Sequence, residues 1–163
     1  MKIAIGCDEA ACGLRDIIKA HLSAQGHEVG DFGTFNNEPV LYPDVGFKVA
    51  EAIMAGQYER GILLCGTGIG MAISANKVPG IRAAQTHDTF STVRAAKSNN
   101  AHIITLGARV VGSELAKTIV DAWLAAEFDP QGPSAGNVAA IGKLDEKYKR
   151  IDSEQSDAHV PVR

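Results

Sequence analysis

Five short apolar runs, each followed by a longer amphipathic segment, constrain this chain more than any other feature. The runs at 2–7, 28–32, 61–65, 81–84 and 102–106 have strand length. They are mostly aliphatic on both faces, as strands covered by helices on both sides are. Helical spacing fills the intervals near 14–24, 44–55, 70–75, 89–97 and 113–126. Gly26 and Gly56 stand where a helix ends in a left-handed residue, and Asp88 stands where an N-cap belongs. A β-α unit repeated five times closes as a parallel sheet between two helical layers. The expectation is α/β: a three-layer αβα Rossmann-like sandwich with a five-stranded parallel sheet. Residues 1–150 read as one domain, with 129–136 a loop, 137–149 one more helix and 151–163 a polar C-terminal tail.

Composition narrows the function. The 163 residues are 45% apolar and 21% charged, enough for one real core. The net charge is −3 with no cluster of Lys and Arg, which speaks against a nucleic-acid partner. No apolar run is long enough to span a bilayer, and Asp8 and Glu9 interrupt the first run before a signal sequence could form. Three cysteines (Cys7, Cys12 and Cys65) are too few and odd in number for a disulfide framework, so reduced thiols are the default. The expectation is a soluble, cytoplasmic protein with no membrane partner.

Ligands of open α/β sheets bind beyond the carboxyl ends of the strands. The sharpest signal there is LLCGTGIGMAISANK, where Gly66, Gly68 and Gly70 alternate at a strand-to-helix turn. Such a turn lets backbone N–H groups face an anion, and Cys65 just before it is placed for thiolate chemistry with a lowered pKa. The plainer alternative is that Cys65 is a small hydrophobe ending a strand and the glycines make a tight turn. A dinucleotide fingerprint fits poorly, because the first β-α turn carries Asp8 and Glu9 instead of glycines, and Asp31 alone is a weak ribose ligand. Asp8 and Glu9 are either a solvated pair or, for Asp8, a group that orients a sugar hydroxyl. His87 is the one histidine in a strand-end loop. His102 reads as a packed residue, and His21 and His27 as surface positions. Ser98, Asn99 and Asn100 end a helix, where Asn is first of all a C-cap. Arg109 could clamp a carboxylate or phosphate, or pair with a surface acid. Tyr42 and Pro43 fall in a long loop. No His, Asp or Glu grouping has metal-ligand spacing, so no metal site is expected.

Taken together, IAIGCD at 3–8, YPD at 42–44, LLCGTGIGMAISANKVPGIRAA at 63–84 and SNNAHIITLGARVVG at 98–112 resemble type B ribose-5-phosphate isomerase. That family includes the galactose-6-phosphate isomerase subunits. The resemblance implies a Rossmann-like fold and a homodimer or homotetramer with active sites at the subunit interface. It also implies aldose–ketose isomerisation of a sugar phosphate without metal or organic cofactor. By resemblance Cys65 is the catalytic base that takes the C2 proton, and Thr67, Gly66, Gly68 and Gly70 belong to the loop that holds the enediolate oxygens. Asp8, Tyr42 and Asn99 match residues that bind sugar oxygens, and Arg109 matches a phosphate arginine. The chemistry agrees, since removing a proton next to a carbonyl needs a placed base and preorganised donors for the oxyanion.

The chain departs from that pattern at four positions. Glu9 and Ser98 stand where the family has histidines, the second of them the acid that opens the sugar ring. Pro133 and Asn137 stand where it has phosphate arginines. A tetrose 4-phosphate has its C4 hydroxyl esterified, cannot form the five-membered ring, and so needs no ring-opening acid. The segments THDTFSTVRAAKSNNAHIITLGARV and GPSAGNVAAI are also similar to the erythrulose-4-phosphate isomerase branch. The expected activity is therefore tetrose 4-phosphate isomerisation, erythrulose 4-phosphate to erythrose 4-phosphate, with His87, Glu9 and Ser98 among the substrate contacts. The alternatives are a ribose 5-phosphate isomerase and a non-catalytic ligand-binding module.

Overall fold

The computed structural model describes residues 1–156, with side chains through Tyr148. Five parallel strands are built from β1 (Lys2–Cys7), β2 (Glu28–Asp31), β3 (Arg60–Cys65), β4 (Ala83–Gln85) and β5 (Ile103–Gly107). Their order across the sheet is β2-β1-β3-β5-β4. The helices are α1 (Cys12–Ala24), α2 (Tyr42–Met54), α3 (Ile69–Ala75), α4 (Thr89–Asn99), α5 (Ser113–Leu124) and α6 (Ala135–Ser156), with a short 3₁₀ turn at Glu9–Ala11.

The strands alternate between two cores because successive side chains leave opposite faces. Ile62 and Leu64 of β3 join Ile3 and Ile5 of β1 and Ile104 and Leu106 of β5 under α1 and α5, around the fully buried Trp123. Leu63 and Cys65 face the other way, with Ala4 and Ile103, under Val45 and Val49 of α2 and Met71 of α3. Each large apolar side chain so buried contributes about 1.5–3 kcal/mol. This is the three-layer arrangement expected from the sequence.

The punctuation holds in detail. Gly26 and Gly56 take positive φ after α1 and α2. The Asp88 carboxylate accepts the N–H of Ser91 at 2.7 Å to cap α4, and Asn100 closes that helix in the left-handed region. Among the boundaries that differ, three bear on the site or the domain. Tyr42 is not in a loop but is the first residue of α2, because Pro43 in the first turn presets the helical φ. The fourth strand begins two residues later than expected, at Ala83, which pairs with Ile103 while the side chain of Asn76 takes both of its backbone groups. Helix α6 runs past residue 150 to Ser156, so the remainder of the expected tail, 157–163, lies outside the described residues. His21 is only partly a surface group: its ring meets the Asp121 carboxylate at 2.7 Å.

Candidate active site

Parallel pairing brings the ends of β1, β3 and β5 together at the carboxyl edge. Cys7 is level with Leu64, and Cys65 with Gly107. Asp8, Cys65 and Arg109 therefore emerge side by side. The Arg109 side chain runs across Gly66 about where a Cβ there would sit 3.5 Å away. Burial pushes the Asp8 carboxyl above its ordinary range, opposed by the N–H of Ala10 and by the nearby Arg109 charge.

The loop after Cys65 is pinned from β5 and β4, the two strands on one side of β3. The N–H of Gly68 donates to Cys65 Sγ at 3.0 Å, and Cys65 is only 5% exposed. Gln85 Nε2 donates to the Thr67 carbonyl at 2.7 Å, and the buried Thr105 Oγ1 donates to the Gly68 carbonyl at 2.7 Å. The Ile69 N–H donates to Thr67 Oγ1 at 3.3 Å, leaving that hydroxyl at the surface. Gly68 has φ +79, and a Cβ on it would lie 3.0 Å from the Leu106 backbone. A Cβ on Gly70 would lie 2.5 Å from the Tyr42 ring, so the ring is laid directly against the loop. An N–H aimed at sulfur is complementary to negative charge there, and the loop keeps the donors in place before any reaction.

Other expected residues have different tasks. His87 Nε2 accepts the N–H of Gly107 at 3.0 Å, so this nitrogen is occupied by backbone and the ring braces the end of β5 rather than offering that atom to substrate. Glu9 turns to the chain as well, its Oε2 accepting the N–H of Val40 at 3.2 Å. Asp31, weighed above as a ribose ligand, is held by Arg15 at 3.0 Å and Lys19 at 2.9 Å. Cys7 and Cys12 are buried with their sulfurs 3.7 Å apart, and burial, reinforced by the Cys12 contact, pushes the Cys7 thiol up to about 12. Cys65 is thus the one thiol at the carboxyl edge that borders an open loop.

Ser98 and Asn99 are not brought to Cys65 within one chain. They end α4 and lead into the start of β5, at the opposite, amino edge of the sheet. Asn99 lines a cleft of about 400 Å³ there with Asn76, Arg82 and Asp145. Its carbonyl and that of Asn100 accept from Arg82 Nε at 2.9 Å. The Ser98 hydroxyl is buried without a partner among the described residues. Pro133 lies beside Arg94 and Lys97 in a smaller cleft of about 270 Å³, and Asn137 is in the first turn of α6.

Sequence reasoning missed Gln85 and Thr105. Thr105 carried a visible signal, a polar side chain inside an apolar strand. Gln85 carried none, because the strand that aims it was placed two residues too early. Among the described residues no group of three His, Cys, Asp or Glu side chains is close enough to hold a metal ion, and no helix is long and apolar enough to cross a membrane.

Comparison with known proteins decides the family. The profile described as Ribose/Galactose Isomerase matches residues 3–141. The chain belongs to the ribose/galactose isomerase family. It is 51% identical over 149 residues to a ribose-5-P isomerase B of Listeria innocua, covering 91% of this chain and 100% of the relative. It is 54% identical over 150 residues to a D-erythrulose-4-phosphate isomerase of Pectobacterium atrosepticum, covering 91% and 98%. The solved ribose-5-phosphate isomerase B of Clostridium thermocellum superposes with a TM-score of 0.88 at 50% identity, covering 91% of this chain and 99% of that one. The chain is accordingly an enzyme, an aldose–ketose isomerase of the sugar-phosphate class.

Proposed function

We propose that this isomerase acts on a tetrose 4-phosphate, interconverting erythrulose 4-phosphate and erythrose 4-phosphate, with Cys65 as its base and no cofactor. Starting from the aldose, the Cys65 thiolate takes the proton from C2, and the C–H electron pair moves through the C1–C2 bond onto the C1 carbonyl oxygen. The product is a cis-enediolate. The thiol then returns the proton to C1, and the hydroxyl proton passes from O2 to O1. Thr67 Oγ1 and the N–H groups of the Gly66–Gly70 loop other than those on Cys65 Sγ and Thr67 Oγ1 steady the oxyanion, while Asp8 and Tyr42 orient hydroxyls and Arg109 faces the phosphate. The observation that carries the reading is the Gly68 N–H aimed at Cys65 Sγ from 3.0 Å, on a loop whose carbonyls are tied back.

Asn99 and Ser98 join this site from a second copy of the chain, whose amino edge meets the first copy's carboxyl edge. The substrate choice follows from Ser98. A serine hydroxyl is a poor acid for opening a furanose ring, and an open-chain tetrose 4-phosphate requires none. A ribose 5-phosphate isomerase is the second reading, favoured by the 51% identity to the Listeria protein. The ratio of kcat/KM for erythrulose 4-phosphate to that for ribose 5-phosphate separates the two. A ratio well above one supports the tetrose assignment, and Ser98→His should then lower it by raising activity on the pentose. A ratio below one assigns the pentose.

A further inference from the structure

We propose that Gln85 is a positioning residue for catalysis, acting through the Thr67–Gly68 peptide to hold an N–H on the sulfur of the base. The inference rests on the reading of Cys65 as that base. In a trans peptide the C=O and the following N–H point in opposite directions. Here both ends of one peptide are engaged: the Thr67 carbonyl accepts from Gln85 Nε2 at 2.7 Å, and the Gly68 N–H donates to Cys65 Sγ at 3.0 Å. A carbonyl can only accept, so the amide nitrogen of Gln85 must be the atom that faces it. Tying the carbonyl outward is what turns the N–H inward.

Gly68 makes the tie necessary. At φ +79 it occupies a region that glycine shares freely with its mirror conformations, so the peptide before it can rotate at small cost. A rotated peptide would present the Thr67 oxygen to the sulfur in place of the N–H, a repulsion for a thiolate. The next peptide has its own anchor in Thr105 Oγ1, which holds the Gly68 carbonyl. The Thr67 carbonyl has Gln85. His87, two residues further on, braces Gly107 at the same edge, so alternate positions of one extended segment buttress the loop and its neighbour. Gln85 is exposed and contributes nothing to either core, which leaves its side chain free for this task.

The test compares wild type with Gln85→Met, which keeps length and loses the donor, and Gln85→Glu, which turns the donor into an acceptor near neutral pH. The readouts are kcat, KM and the pH–rate profile on the better substrate, with amide exchange of Gly68 followed by NMR. Gln85→Met should lower kcat about tenfold, the worth of one hydrogen bond. KM should stay within about twofold, the acid limb should move to higher pH and Gly68 exchange should quicken. Gln85→Glu should fall further, and its rate relative to wild type should climb as pH drops toward the ordinary glutamate range, where a protonated carboxyl donates again. Wild-type kcat and profile in Gln85→Met would overturn the proposal, as would a relative rate for Gln85→Glu that ignores pH. If wild type itself moves no proton on any sugar phosphate, the base assignment fails and this role with it. A working wild type beside an unaltered Gln85→Met removes the role alone.

Discussion

The two ends of β3 show how one strand serves two purposes. At its start, Arg60 donates to the carbonyls of Trp123 and Ala126 and lies over the Trp123 ring, 5.0 Å from its centroid. Burial lowers its pKa from the usual arginine value, and both of its terminal nitrogens are engaged in closing the end of α5. At its finish, Cys65 has a single N–H on its sulfur and an exposed Thr67 hydroxyl two residues on. The first end holds the fold and the second leaves reactive capacity unspent. Charge and burial alone do not separate structural from chemical residues; what is left unbonded at the open edge does.

The largest expected contrast is between Cys65→Ala and wild type. Turnover should fall about a thousandfold or more, the range for losing a general base, with thermal stability nearly unchanged. At the other end, Arg60→Met should cost about 3 kcal/mol of stability through two lost charge-assisted hydrogen bonds to carbonyls that remain buried, measured by urea unfolding. Its kcat per folded molecule should stay within about twofold. A large loss of kcat in Arg60→Met, or of stability in Cys65→Ala, would break the division between the ends.

Gly70→Ala sharpens the comparison within the carboxyl edge. The added methyl would meet the Tyr42 ring at 2.5 Å and push it aside, so kcat/KM should fall about ten- to hundredfold, with little effect on melting since Tyr42 is 42% exposed. The smallest effect belongs to the amino edge and to pH. Burial, with the adjacent Arg82 charge, lowers the His102 pKa from 6.5 to about 4, and Arg82 N–H groups approach both ring nitrogens. A histidine held neutral in the fold contributes stability that is complete above its unfolded pKa. That contribution is lost as pH falls from 6.5 toward 4. His102→Gln should flatten this part of the stability profile and leave the rest in place.

Much of the fold was legible because it depends on periodicity and punctuation, which are local. Five strands, their helices, the glycine stops and the Asp88 cap all follow from spacing. The candidate site was legible where it is contiguous in sequence, from Cys65 to Gly70, and where topology brings strand ends together, as for Asp8 and Arg109. It was opaque where partners are distant. Nothing local to Glu9 or His87 says that Val40 and Gly107 will take their polar atoms, and a two-residue shift of β4 hid Gln85. Ser98 and Asn99 show a different limit: their chemistry resembles that of site residues, yet the right-handed β-α-β path carries the end of α4 to the far edge.

That Cys65 is the base is tested most directly by deuterium incorporation in D₂O, followed by NMR at C1 of erythrulose 4-phosphate and at C2 of the erythrose 4-phosphate formed from it, for wild type and Cys65→Ala. Wild type should exchange and Cys65→Ala should show none above the buffer rate, although that variant folds normally. Exchange by Cys65→Ala at the wild-type rate would contradict the assignment, and would move the proton to a base other than this thiol.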